Sequence, residues 1–219
     1  GAGGAARVVV ARSPRSYRRG RCAGPEWMVK PLVRVIDGAG NERQQCGAGM
    51  ALCNLGSDAE LRDRIVSCGG WRTLQMGMAC ENEMVQRSML EAMANLVTAD
   101  DVMEKFLDAK SNEVKIFVGF CSSDDPKAQV AASGALATLA QVPDIAEAIV
   151  AGNGVEPLVE IVLLSEEPAL LHRGAVCLER LATNAPDAMF GKAGDEPPQH
   201  ALGALGALSV LSRSSLEPA

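Results

Sequence analysis

Aromatic residues are scarce in this 219-residue chain, which contains two Trp, one Tyr and four Phe. A single globular core usually takes much of its volume from aromatic side chains, and β-strands favour aromatic and β-branched residues. The scarcity therefore disfavours an all-β sandwich. At 47% hydrophobic residues the chain is also too apolar to be disordered over most of its length. The composition favours short packed helices whose contacts are filled by Ala, Leu and Met.

Residue patterns that carry catalysis or bind metals are also missing. The chain has only two histidines, His172 and His200, and its seven cysteines form no C-x-x-C pair. It contains no P-loop, no nucleophile elbow and no zinc-protease motif. We therefore expect no metal, no cofactor and no enzymatic activity, and we interpret the cysteines as reduced thiols in a cytoplasmic protein. No uninterrupted apolar run of about 18 residues occurs, so no membrane span is expected.

The formal net charge of −6 is divided unequally along the chain. Residues 1–25 hold six Arg and no acidic residue, which leaves 15 basic against 27 acidic residues in 26–219. An acidic body does not bind a nucleic-acid backbone by charge, so a nucleic-acid partner is not expected. We interpret 1–25 as a disordered Arg- and Gly-rich head, 26–213 as the folded part and 214–219 as a tail.

One helical pattern occurs four times in the folded part. Each copy has apolar residues at i, i+3, i+4 and i+7, which lie on one face of an α-helix, and each closes on a leucine. The four copies span residues 45–55, 86–96, 129–139 and 171–181. Their closing residues Leu55, Leu96, Leu139 and Leu181 recur after 41, 43 and 42 residues. Four copies in register predict a repeat protein, in which stacking of the units forms the core.

Proline and glycine punctuate the segments between these helices. Gly69-Gly70 ends one short helix and Gly152-Asn153-Gly154 ends another, whereas Pro143 and Pro168 stand at predicted helix starts. Each unit thus contains a short, a medium and a long helix, which resembles the armadillo repeat. We predict an all-α, right-handed armadillo-type α-solenoid of about four to five three-helix repeats. The last unit is partial, with predicted helices over 186–192 and 197–212.

Several segments resemble a more specific family, the UCS family of myosin-directed chaperones. The resemblance covers roughly residues 44–190, and the segments that carry it are 51–55, 60–66, 69–71, 85–88, 91–97, 131–137 and 172–175. It implies a protein client, the myosin motor domain, bound along an armadillo groove. It also implies a heat-shock chaperone as a second partner, recruited through a tetratricopeptide domain. No tetratricopeptide pattern is present in these 219 residues.

The long helices of armadillo solenoids line a concave surface, and the residue before each closing leucine projects into it. These residues are Asn54, Asn95, Thr138 and Arg180. An Asn amide offers both a donor and an acceptor to the backbone of an extended peptide. Equally, Asn54 and Asn95 could bond to a neighbouring loop within the stack, and Arg180 could serve specificity or form a salt bridge in the stack.

One helical turn before these residues stand Met50, Glu91, Gly134 and Val176. Armadillo proteins that carry nuclear-localisation peptides resemble one another in having Trp here, so its absence disfavours an import adaptor. Glu91 could contact a basic client residue or be a solvated helix position. We predict a protein-binding groove formed by Asn54, Asn95, Thr138, Arg180, Met50 and Glu91. Two alternative functions are a scaffold that joins folded partners and a helical regulatory domain of a larger enzyme.

Overall fold

The computed structural model describes residues 26–38, 41–108, 111–192, 194 and 196–214. These residues form helices joined by short turns, with no β-strand among them. The helices are α1 Glu26–Asp37, α2 Glu42–Leu55, α3 Ala59–Ser67, α4 Gly70–Gly77, α5 Glu83–Leu96, α6 Asp100–Leu107, α7 Glu113–Cys121, α8 Pro126–Leu139, α9 Pro143–Ala151, α10 Val155–Leu164, α11 Pro168–Asn184, α12 Pro186–Phe190 and α13 Gln199–Ser214. The predicted head 1–25 and residues 215–219 of the tail lie outside this description.

The helices repeat in the predicted order of short, medium and long. Three complete units are α3–α5, α6–α8 and α9–α11, while α1–α2 and α12–α13 are parts of two further units. Three helices differ from the predicted bounds. Helix α11 continues past its closing Leu181 to Asn184, α12 ends at Phe190 instead of 192, and α13 runs over Gln199–Ser214 instead of 197–212.

Local capping chemistry explains where the long helices begin. The side chains of Asn41, Asn82 and Asp125 accept hydrogen bonds from the first backbone N–H groups of α2, α5 and α8. These groups have no partner inside the helix, so a capping oxygen stabilises the helix start. Pro168 opens α11, where its missing N–H costs nothing. The fourth long helix therefore starts on proline without a side-chain cap.

The long helices stack in chain order, with α2 against α5, α5 against α8 and α8 against α11. The contacts between them are buried alanines, leucines and methionines, namely Ala48, Leu52, Met89, Met93, Ala132, Ala135 and Leu136. Small side chains let neighbouring helices approach closely. The predicted seam of Ala, Leu and Met is therefore confirmed. None of the described helices is long and apolar enough to cross a membrane.

A recurring hydrogen bond links each of the first three long helices to the segment before it. A glutamine side chain near the helix start donates to a carbonyl oxygen at or just beyond the end of the preceding medium helix. The three pairs are Gln45 with Ile36 at 3.0 Å, Gln86 with Cys80 at 2.7 Å and Gln129 with Cys121 at 3.1 Å. These bonds satisfy carbonyls that lack a partner within their own helix. The fourth copy has Leu171 at this position and lacks the bond.

Three of the few aromatic side chains form one buried cluster on the side of the medium helices. The Trp71 and Phe106 rings meet edge to face with centroids 5.9 Å apart, and Phe117 lies 6.5 Å from Trp71 and 5.8 Å from Phe106. The Trp71 Nε1–H donates to the buried Glu113 Oε1 at 3.4 Å. This cluster joins α4, α6 and α7, and so connects two successive units through aromatic packing.

The buried cysteines are free thiols. Cys121 and Cys177 are buried, whereas Cys46, Cys53, Cys68 and Cys80 are partly exposed. Burial raises the pKa of Cys121 to about 12. Burial also raises the pKa of Cys177, with the nearby Cys121 adding to the effect and Arg180 opposing it. Both thiols are therefore protonated in the folded chain at neutral pH.

We expect the folded chain to lose stability as the pH rises from about 9 toward about 12, since the ordinary thiol pKa is 9.0 and that of Cys121 is about 12 in the fold. Over this window the unfolded chain releases the Cys121 proton and the folded chain retains it, so the unfolded state is favoured. The urea midpoint of unfolding, measured at several pH values, tests this prediction. In Cys121→Ala the midpoint is expected to fall less steeply with rising pH than in the wild type. An equally steep fall in both would show that the Cys121 thiol does not cause the loss of stability.

Candidate functional site

The stacked long helices border one groove with a volume of about 770 Å³. Cys53 of α2, Glu91 and Asn95 of α5, Thr138 of α8 and Arg173 of α11 all line it, so four successive units contribute. Its apolar lining is made of small residues, Ala94, Val130, Ala131, Gly134, Ala135 and Ala169. We call these small residues the floor of the groove. Their side chains project little from the helices, so space for a ligand remains above them. A volume of this size falls in the range of ligand-binding clefts.

The structure brings together three of the six predicted groove residues. Asn95, Thr138 and Glu91 line the groove, whereas Asn54, Met50 and Arg180 do not. Asn54 is exposed on α2 and its side chain makes no hydrogen bond to another described residue. Met50 is 55% exposed on the same helix. The six residues therefore do not form one continuous surface within the groove.

The side chains of Asn95 and Arg180 bond within the stack. Asn95 Nδ2 donates to the Cys53 carbonyl oxygen at 2.8 Å, and a guanidinium N–H of Arg180 donates to the Ala137 carbonyl oxygen. Cys53 and Ala137 each stand one residue before the equivalent position of the preceding unit, so the two bonds are the same contact made twice. The sequence left a client contact and a bond to a neighbouring loop as alternatives for Asn95. Its amide nitrogen makes a bond within the stack, but the acceptor belongs to helix α2 and not to a loop.

Thr138 uses its hydroxyl differently, because Oγ1 donates to the Gly134 carbonyl oxygen at 3.0 Å in its own helix. Its oxygen keeps lone pairs that can accept a hydrogen bond. The Oδ1 atom of Asn95 also has no donor among the described residues. The groove thus keeps acceptors at these two positions, whereas their donors are engaged by the protein itself.

Charged residues one turn or more before the predicted positions also line the groove. Arg87 Nη1 lies 3.1 Å from Asp125 Oδ2, and both side chains are partly buried. Lys127, Glu167 and Arg173 line the same groove and make no ion pair with another described residue. The sequence-based prediction missed all five. Continuing along the same helix face by one further turn, from Glu91 to Arg87, would have identified part of this set.

Glu91 lies close to Cys53 at the α2 end of the groove. Partial burial raises the pKa of the Cys53 thiol, and the negative charge of Glu91 raises it further. A nucleophilic cysteine requires the opposite, a pKa lowered by a cation or a helix N-terminus. The surroundings of Cys53 therefore do not activate its thiol as a nucleophile. Among the described residues, no group of three or more His, Cys, Asp or Glu side chains is placed to hold a metal ion.

A search with protein-family models and a comparison with known sequences give different results. No family model matches the chain. The chain is similar to human protein unc-45 homolog B, with 34% identity over 113 residues, which is 51% of this chain and 12% of that protein. Only about an eighth of the human protein is therefore represented.

Solved structures give the fold directly. UNC-45 from Drosophila melanogaster superposes with a TM-score of 0.66 at 22% identity, over 88% of this chain and 26% of that one. A designed armadillo repeat protein in complex with the peptide (KR)4 superposes with a TM-score of 0.64 at 18% identity, over 82% and 81% of the two chains. The predicted armadillo-type α-solenoid is thus confirmed, and so is the resemblance to UNC-45 proteins.

Proposed function

We propose that this chain is the client-binding part of a myosin-directed, UCS-type chaperone or co-chaperone, and that its client lies in the groove between α5, α8 and α11. The observation that supports the proposal is this groove, which combines small apolar residues with charged side chains that make no ion pair with another described residue, in a chain that resembles UNC-45 homolog B. The proposed client is the myosin motor domain, as the resemblance implies. A heat-shock chaperone as second partner and a cytoplasmic location are proposed on the same basis.

The groove suits an extended or partly unfolded segment better than a folded surface. Adjacent packed helices stand about 8–10 Å apart, so three successive long helices span a length that several extended residues can follow. The acceptors on Asn95 and Thr138 can bond the N–H groups of such a segment, which lacks internal partners when extended. The small residues of the floor provide room for its side chains.

We expect the chain to suppress the aggregation of a heated myosin motor domain, and Glu91→Lys to weaken this effect. Glu91 is proposed to contact a basic client residue, so the reversed charge repels it. The concentration needed for half-maximal suppression should rise about tenfold, as is typical for the loss of a charge-assisted contact. Light scattering during heating measures the suppression, and circular dichroism confirms that the variant folds.

The matched control is Glu104→Lys, which makes the same change at an exposed position of α6 outside the groove. It should suppress aggregation as the wild type does. If both variants act like the wild type, Glu91 is not in the client-binding surface. If the wild-type chain binds the folded motor domain tightly but leaves its aggregation unchanged, the scaffold alternative is supported instead.

A further inference from the structure

Arg173 is an exposed residue of α11 whose guanidinium lies beside Gly134 of α8. The equivalent positions of the long helices carry Met50, Glu91, Gly134 and Val176, so only α8 has a glycine there. A Cβ atom on Gly134 would lie 3.0 Å from Cζ of Arg173 and 3.3 Å from its Cδ, and would overlap the end of the guanidinium. The guanidinium of Arg173 therefore lies against the backbone of α8 in the groove, where glycine leaves room for it.

This guanidinium has no partner among the residues that the structure describes. Arg173 makes no ion pair or hydrogen bond with another described residue, whereas Arg87 is paired with Asp125 and Arg180 donates to Ala137. Lys127 is exposed on α8, lines the same groove and is likewise unpaired within the described residues. The planar guanidinium offers five N–H donors in a fork that matches a carboxylate.

We propose that Arg173, supported by Lys127, receives an acidic side chain of the extended client segment, an inference that rests on the proposed role of the groove in client binding. The carboxylate of an Asp or Glu would accept hydrogen bonds from the guanidinium beside Gly134. The groove also contains the carboxylates of Glu91 and Glu167, which make no ion pair within the described part of the chain. They repel a segment that is acidic throughout. The matching ligand is a peptide of mixed charge.

The spacing of the helices gives the register of that peptide. Glu91 holds in α5 the position that Gly134 holds in α8, so the two anchoring charges are about one helix spacing, roughly 8–10 Å, apart. Side chains on the same side of an extended chain repeat every second residue, or about 7 Å. Long charged side chains are flexible enough to bridge the gap between the side-chain repeat of the peptide and the spacing of the helices. A basic residue two positions from the acidic one would therefore reach Glu91.

A random peptide library displayed on phage and selected on the chain tests this chemistry without any myosin. We expect enriched peptides to carry Asp or Glu two positions from Lys or Arg. Fluorescence anisotropy with one enriched peptide should show that Arg173→Ala raises its dissociation constant about tenfold or more. Arg72→Ala, an exposed arginine of α4 outside the groove, should leave the constant unchanged.

Two further variants test the Arg173 charge in different ways. One moves the guanidinium and the other reverses the sign of the charge. Gly134→Ala keeps Arg173 but displaces its guanidinium, so we expect the peptide to bind several-fold more weakly. The melting temperature should not fall, because alanine favours a helix more than glycine does. Arg173→Glu should bind the selected peptide poorly and should recover binding when the acidic peptide residue is replaced by Lys. A merely structural role of Arg173 would give no such recovery.

The inference is overturned if no peptide is selected, if the selected peptides show no enrichment of acidic residues, or if Arg173→Ala binds them as the wild type does. The proposed function is judged separately by the aggregation of the motor domain. Loss of peptide binding in Arg173→Ala together with no protection of the motor domain would support the acidic-residue site and reject the myosin client.

Discussion

Replacing Phe117 with alanine is expected to lower the free energy of unfolding by about 3–5 kcal/mol, the usual cost of removing a buried Phe side chain. Phe117 is fully buried and contacts both Trp71 and Phe106. The substitution therefore removes the centre of the aromatic cluster and leaves a cavity. Against a typical total stability of about 5–15 kcal/mol, this loss is large. Urea unfolding followed by circular dichroism measures it.

The effect should be concentrated in the units that the cluster joins, because repeat units contact only their neighbours. Amide hydrogen exchange is expected to accelerate most in α4, α6 and α7. Phe120→Ala is the matched control, since Phe120 lies on the same helix, is partly exposed and stands outside the cluster. An equal loss of stability in the two variants would show that the aromatic cluster contributes nothing specific.

The second large effect is expected from Gly154→Ala at the turn between α9 and α10, with a loss of about 1–3 kcal/mol in the free energy of unfolding. A Cβ atom there would lie 2.6 Å from Cγ2 and 2.9 Å from the carbonyl oxygen of Ile149. The backbone oxygen cannot move without opening the turn. Gly70 stands in the same relation to Ile65, with 2.6 Å and 2.7 Å to the equivalent atoms, so Gly70→Ala should behave alike.

The matched control for this change is Gly119→Ala in α7. A Cβ atom at Gly119 would meet nothing within 4 Å, so only the helix preference of alanine changes. That preference is worth up to about 1 kcal/mol, and the control should raise the melting temperature. If Gly154→Ala is as stable as the wild type in thermal unfolding, close packing at the turn is not the reason for glycine at this position.

Much of the helix order follows from local signals and was predictable. The apolar period of the four copies, the prolines at helix starts and the glycines at turns each act within a few residues. The differences in the bounds of α11, α12 and α13 are a few residues at helix ends, where competing turns decide the last hydrogen bonds. The head 1–25 and the division of the chain at 213 stay predictions.

The candidate groove was predictable only in part. The helices and the helix face that line this groove follow from the period, and Asn95, Thr138 and Glu91 lie on that face. The role of Asn95 was not predictable, because its amide nitrogen bonds to Cys53, 42 residues away. The sequence alone left that bond and a client contact as equal alternatives. The use of the groove for client binding stays a proposal.

The sequence by itself therefore determined the repeating helices, the apolar face of each and the stacked architecture, because periodicity and capping act locally. The tertiary structure decided which polar groups remain free. Whether Arg87 pairs with Asp125, and whether the Arg173 guanidinium lies beside Gly134, depends on the rotation and register between successive long helices. These pairs are separated by about one repeat in the chain, and their geometry exists only once the units have stacked.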